Sequence, residues 1–241
     1  MSPSRPSAPD PDLAGIAALA EPVRRELFDF VADARTAVSR EQAAEGVDVP
    51  IHTAKFHLDR LVEEGLLEVE FRRLSGRTGP GSGRPSKLYR RTDRELSVSL
   101  PQRHYDLLSR ILARAIAEAT TTGTQVGPLV AQTAREEGEQ WGAEAAGTPR
   151  EVREVSEIER LAWALADGGY EPWVDSGTLY LGNCPFHRIA QAQTDLVCGL
   201  NLEFITGVAT GLGCAHVAAR LDPDDGRCCV SARSTAPPAR G

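Results

Sequence analysis

The first 183 of 241 residues contain no cysteine, and all five thiols fall between Cys184 and Cys229. Disulfides and thiolate metal knuckles are therefore excluded from three quarters of the chain. Within the cysteine-bearing part there is no Cys-x2-Cys pair, the usual zinc signature. No apolar run approaches the ~18 residues of a membrane span. The opening "MSPSRPSAPDPD" lacks the apolar stretch of a signal peptide, and its Pro and Ser content predicts a disordered tail. A reducing cytoplasm is the expected location. Clustered cysteines there point to metal, cluster or redox chemistry more than to structural disulfides. No Gly-Lys-Ser/Thr follows "GPGSG" (79–83), and no helix starts there, so it is not a phosphate loop. Lysine is nearly absent, with only Lys55 and Lys87. The arginine bias suits phosphate contact, because the guanidinium forks phosphate better than an ammonium does. A GC-rich genome gives the same bias.

What is present has enough apolar content for a core, at 41% hydrophobic and 25% charged residues. The net charge of −7 does not by itself suggest a polyanion partner, but its distribution is uneven. Residues 71–94 carry eight basic residues and one acid. A strongly basic patch thus sits in an acidic protein.

Apolar spacing over 12–34 predicts a short helix, then a second one starting at Pro22. "SREQAAEG" (39–46) offers Ser39 as N-cap, Gln42 in the capping-box position and Gly46 as a stop. "PIHTAKFHLDRLVEEG" (50–65) has Pro at its start and Gly at its end, with Ala54, Leu58, Leu61 and Val62 as its apolar stripe. "LLEVEFRRL" (66–74) alternates as a strand does, and "SKLYRRT" (86–92) returns after a Gly/Pro loop. Helix, helix, turn, helix and a basic-tipped hairpin is the winged helix-turn-helix order.

From Pro101 to about Asp167 the chain reads as helical, with a capped start and a Gly-Gly end over 148–169. These helices either connect the N-terminal unit to the C-terminal part or form a dimer interface. Two short strands are expected around Asp175–Gly177, a helix over 187–213 and a second hairpin turning at Asp222–Gly226. The whole is expected to be an α+β protein. It comprises a winged helix-turn-helix DNA-binding domain (12–95), a helical linker or dimerisation region (96–168) and a small cysteine-containing α+β sensor domain (169–233). Tails at 1–11 and 234–241 flank them.

A recognition helix presents its solvent face to the major groove. With Ala54, Leu58 and Leu61 inward, helical geometry turns His52, Thr53, Phe56 and Arg60 outward, with Lys55 and His57 on the flanks. Asp59 and Glu63 share this face and would repel phosphate, so only the N-terminal half is expected in the groove. Arg72, Arg73, Arg77, Arg84 and Lys87 would lie along the backbone and set affinity and salt dependence rather than sequence choice. The alternative is a solvated helix with a basic loop after it.

"LAEPVRRELFDFV", "SREQAAEGVDVPIHTAKFHLDRLVEEGLLEVE" and "SGRPSKLYRRT" resemble the ArsR-like winged-helix regulators. With "NCPFH", "DLVCGLNLEF" and "LDPDDGRCCV", the chain is similar to their branch that includes the iron–sulfur assembly (suf) operon repressors. The resemblance runs from about residue 13 to 231. It implies a homodimeric repressor of a double-stranded DNA operator, with an iron–sulfur cluster or metal held by three spaced cysteines. Those correspond to Cys184, Cys198 and Cys228. The first spacing and the adjacent Cys228–Cys229 pair depart from the pattern, which leaves target and effector open.

The wide spacings mean that ligands come from separate elements. Thiolates suit an iron–sulfur cluster and zinc alike. Cys229, Cys214, His187 and His216 are candidates for a fourth ligand. A thiol-redox regulator without metal is the alternative, and buried cysteines also simply fill space. A cysteine-dependent enzyme using Cys184 and His187 would lack a third orienting group, so no enzyme is expected. A DNA-binding scaffold whose C-terminal part binds a partner protein completes the options.

Overall fold

The computed structural model describes residues 11–72, 85–147 and 155–235. They divide into two compact units, Met1–Val98 and Ser99–Gly241.

The N-terminal unit opens with α1 (Pro11–Ala18) and α2 (Pro22–Asp33). Glu21 caps α2, its carboxylate accepting from the amides of Val23 and Arg24, and Pro22 sits in the first turn, where no amide partner is needed. Strand β1 (Val38–Ser39) leads into α3 (Arg40–Gly46), which starts on the expected capping box of Ser39 and Gln42. The next helix, α4 (Ile51–Glu63), buries Ala54, Leu58 and Leu61, and Gly65 takes a positive φ just beyond its end. Strands β2 (Leu67–Arg72) and β3 (Ser86–Arg91) form the antiparallel hairpin. The short β1 adds a third strand, in the order β1-β3-β2. Leu27 and Val31 of α2 meet Ala43, Leu58, Leu61 and Tyr89 in the core.

The C-terminal unit has one core that includes the central helices. Thus α5 (Tyr105–Thr122), α6 (Val126–Ala146) and α7 (Glu157–Asp167) are built into the unit that carries the cysteines. Helix α7 starts on a second capping box, Ser156 and Glu159, within the 148–169 stretch read as a capped helix. Strands β4 (Pro172–Asp175) and β5 (Thr178–Leu181) form a hairpin over Ser176–Gly177, both at positive φ, the twist-matched two-residue turn. The helix expected over 187–213 is two, α8 (His187–Ala192) and α9 (Thr194–Gly211), broken at Gln193. Strands β6 (Val217–Leu221) and β7 (Val230–Ser234) complete an antiparallel sheet in the order β4-β5-β7-β6. Phe204, Ile205 and Val208 of α9 are fully buried, each contributing roughly 1.5–3 kcal/mol by burial.

The α6–α9 contact is made through glycine. A Cβ on Gly138 would fall on the Phe204 carbonyl oxygen, and one on Gly142 on that of Val208. Reciprocally, a Cβ on Gly207 would fall on the Arg135 carbonyl and one on Gly211 on that of Glu139. Two Gly-x3-Gly stretches therefore let the backbones touch, which fixes where α9 lies and so where Cys198 is held.

Candidate functional site

In the N-terminal unit, α4 exposes Ile51, His52, Lys55, Phe56 and Arg60, while Thr53 is half-buried. Phe56 is 66% exposed, a large apolar side chain left in water on a helix whose other face is fully buried.

Other expected contacts are turned away from that face. His57 is only 12% exposed at its side chain; its Nδ1 accepts from Arg24 Nε at 3.4 Å and lies 3.4 Å from Glu21, so it ties α4 to α2. Asp59 does not repel phosphate from the outer face, because it points at the wing. There it accepts from Lys87 Nζ at 2.5 Å and from Tyr89 Oη at 3.0 Å. Burial opposes the Asp59 charge, but the bonds from Lys87 and Tyr89 outweigh it and lower the carboxyl pKa. Lys87 thus joins α4 to the hairpin. Arg60 pairs along its own helix with Glu63 at 3.1 Å and with Glu64. Arg72 stays exposed, 3.6 Å from Glu70. Arg73, Arg77 and Arg84 lie outside the described residues. Phe71, 69% exposed on β2, was not singled out by sequence reasoning and joins the exposed apolar set.

In the C-terminal unit, three segments bring four cysteines together. Cys228 lies just before β7, and its amide donates to the Leu181 carbonyl at 2.8 Å, extending the β5–β7 pairing. Cys184, three residues past Leu181, is thereby brought near it, and the two thiols perturb one another's titration. Cys198 on α9 is joined to Cys229 in a disulfide, with Cα atoms 6.4 Å apart. Asn201, one helical turn after Cys198, donates to Cys228 Sγ at 3.3 Å. Both members of the adjacent pair, Cys228 and Cys229, therefore meet the same face of α9.

A buried polar chain supports this arrangement. Tyr170 Oη donates to Asn201 Oδ1 at 2.6 Å, and Asn201 is fully buried. Arg103 donates to the Cys184 carbonyl at 3.0 Å and to Asn183 Oδ1, and Asn183 Nδ2 donates to the Gly169 carbonyl at 2.6 Å. The hydrogen bond from Cys228 holds the Cys184 thiol below its ordinary pKa, aided by the Phe186 amide and Arg103 and opposed by burial. The same bond, with burial, pushes the Cys228 thiol up. Asn201 and Tyr170 were missed by sequence reasoning; a lone amide within the apolar run of α9 was the available signal. Changing Asn201 to Leu would leave the Tyr170 hydroxyl buried and unpaired, with an expected cost of about 1–3 kcal/mol. Tyr170→Phe in the same background should recover part of it, which urea unfolding of the single and double variants would measure.

Of the other candidate ligands, Cys214 and His216 belong elsewhere. Cys214 follows the far end of α9, ~20 Å along the helix axis from Cys198. Burial there raises its pKa, and its sulfur lies 3.5 Å from the Glu157 carbonyl. His216 has no role at the cysteines either: its amide and ring contact Glu157 at the start of α7. His187 opens α8 with an exposed side chain, and its amide bonds the Cys184 carbonyl. Among the candidates for a fourth ligand, Cys229 is the one at the cluster.

As paired, the sulfurs do not fit a metal or cluster. One expected ligand, Cys198, is engaged in the disulfide, and among the described residues no three His, Cys, Asp or Glu side chains are arranged to hold a metal ion. Opening the disulfide would free two further soft donors beside Cys184 and Cys228, which is the donor chemistry that iron–sulfur clusters and zinc take.

Residues 19–70 match a family model described as a helix-turn-helix domain, a span covering α2 through α4 and most of β2. This match supports DNA binding and a role in transcription regulation for the N-terminal unit. No curated protein matches the chain. Among solved structures, human N-acetylserotonin methyltransferase in complex with SAM is 20% identical over 56% of this chain and 45% of that one. This chain thus spans less than half of it, and the TM-score of 0.25 is below that of a shared fold. No described helix is long and apolar enough to cross a membrane.

Proposed function

We propose that the chain is a homodimeric repressor whose hold on a double-stranded operator is set by the state of its C-terminal cysteines. The observation that carries this reading is the gathering of Cys184, Cys198, Cys228 and Cys229 from three segments, in a chain whose other unit is a helix-turn-helix domain. Two copies are needed because one recognition helix reads only a half-site, and an operator palindrome mirrors the two-fold axis of a dimer.

In the reduced chain, Cys184, Cys198 and Cys228 would hold an iron–sulfur cluster, or zinc in its place, with Cys229 as the fourth sulfur. The resemblance to the suf repressors and the soft, mostly buried donor set support this. A bound cluster would supply an oxidation-labile tie between α9 and the segments at 184 and 228. Cys198 cannot be a ligand and a disulfide partner at once, so loading and the Cys198–Cys229 bond exclude each other.

A second reading, thiol-redox control without metal, is favoured by that same disulfide. A thiol enzyme is less well supported, since the Cys184 sulfur takes its hydrogen bonds from Cys228 and Phe186 rather than from His187.

Purification without oxygen separates the two readings. A visible absorption band with bound iron and sulfide, or bound zinc, is expected from the cofactor reading. Colourless, metal-free protein whose DNA affinity still changes with thiol reduction would establish the second reading in its place.

A further inference from the structure

We infer that residues 99–104 form a clamp whose hold on the 183–185 segment follows the state of the Cys198–Cys229 bond, with Arg103 and Asn183 as its positioning residues. The inference rests on the proposed control of DNA affinity by the cysteines and names the path which that control takes. Val98 ends the N-terminal unit in sequence and Ser99 begins the other. The clamp is therefore the first structure that the chain meets on leaving the helix-turn-helix unit.

Asn183 is buried and has both ends of its side-chain amide engaged. Its Oδ1 accepts from Arg103 Nη1, and its Nδ2 donates to the carbonyls of Gln102 at 3.0 Å and Gly169 at 2.6 Å. Arg103 Nη1 also donates to the Cys184 carbonyl at 3.0 Å. The Arg103 amide donates to Ser99 Oγ at 2.7 Å, and the His104 amide to the Pro185 carbonyl at 3.2 Å. Because Cys184 precedes a proline, its backbone has little freedom to absorb a shift locally. Movement of residues 183–185 therefore passes to the carbonyls that hold 99–104.

A hydrogen-bonded path leads from the disulfide to this clamp. Asn201 stands one helical turn after Cys198 on α9, and its Oδ1 accepts from Tyr170 Oη at 2.6 Å. The Tyr170 carbonyl in turn accepts from the Asn183 amide at 3.0 Å. Packing of α9 begins only at Val197, since residues 191–196 are all exposed. The Cys198–Cys229 bond therefore anchors the first buried turn of α9 to the segment entering β7. A dithiol reductant supplies the two electrons and two protons that turn this bond into two thiols, and the anchor is released. Asn201, Tyr170 and Asn183 then lose a fixed frame, and the 99–104 backbone loses it with them. Contiguity alone does not establish coupling, but this path starts at an element with two discrete states, bond closed and bond open.

The test is hydrogen–deuterium exchange read by NMR on the full chain, without DNA and freed of metal with a chelator. It is run with the bond closed and again after reduction by dithiothreitol. The Arg103 and His104 amides, both hydrogen-bonded in the closed form, should exchange at least ~10-fold faster in the reduced form, while amides in the middle of α6 stay protected. Arg103→Ala should give the fast rate in both states. Arg103→Lys should restore the difference, because a single nitrogen, Nη1, makes the bonds to Asn183 and Cys184, and an ammonium has donors enough for both. Equal rates at 103 and 104 in the two states of the parent would overturn the inference, as would an undiminished difference in Arg103→Ala. Loss of protection throughout α6 would overturn it too, since the whole unit rather than the clamp would then respond. Exchange that follows the bond while DNA affinity does not would instead refute the proposed regulation and leave the clamp standing, so the two fall separately.

Discussion

Replacing Gly207 with Ala should destabilise the C-terminal unit by about 2 kcal/mol or more, although alanine is the better helix former. The added methyl group has no room: it falls on the Arg135 carbonyl oxygen and close to the Glu139 amide, both backbone atoms of α6. Backbone cannot rotate aside as a side-chain tip can, so α6 and α9 must separate along their shared seam. Overpacking of this kind costs typically 1–3 kcal/mol and occasionally more. Helix propensity returns only ~0.5–1 kcal/mol. Gly199, on the same helix, has open space where its Cβ would stand. Gly199→Ala should therefore stabilise by about 0.5–1 kcal/mol. Urea unfolding of both variants gives the comparison, and equal effects of the same sign would refute the close-packed seam. Because α9 carries Cys198 and Asn201, Gly207→Ala should also slow closure of the Cys198–Cys229 bond.

Changing His52, Lys55 and Phe56 together to Ala should reduce affinity for a selected duplex at least ~100-fold. A well-placed base contact discriminates by about 1–3 kcal/mol, and tenfold in affinity is about 1.4 kcal/mol. All three side chains are exposed, so stability should stay within about 1 kcal/mol of the parent. The natural operator is not needed, since duplexes enriched from a random pool by the full chain serve as probe. Arg72→Ala should behave differently, weakening binding to all sequences alike and lowering the salt slope by about 1. His57→Ala should act mainly through stability, because His57 bridges to Arg24 and Glu21 of α2. Unchanged sequence preference in the triple variant would remove α4 from the role of reader.

The helix-turn-helix unit was legible because its signals are local. Ser39 and Gln42, the Pro50–Gly65 bounds and the Ala54, Leu58, Leu61 stripe each specify one element within a few residues. Strand β1 escaped because two residues show no alternation, and Val38 and Ser39 become a strand only through pairing with Tyr89 and Leu88. The Asp59–Lys87 pairing was missed for a related reason. Helical geometry gives the direction of a side chain, but not that a strand 28 residues later supplies its partner. At the cysteines, spacing showed that the sulfurs come from separate elements. Which pairs form depends on the β5–β7 register and on the helix break at Gln193, neither of which is encoded locally. The Gly138-x3-Gly142 and Gly207-x3-Gly211 spacings were readable as a close helix contact and were passed over.

The central claim, that the cysteine site governs DNA binding, is tested most directly by one titration. Affinity for a selected duplex is measured with the chain fully reduced, without oxygen and with any cofactor retained, and again after the Cys198–Cys229 bond has closed. A difference of tenfold or more, abolished in Cys198→Ser, is the predicted result. Identical affinities in both states would contradict the account and leave the C-terminal unit without a regulatory role.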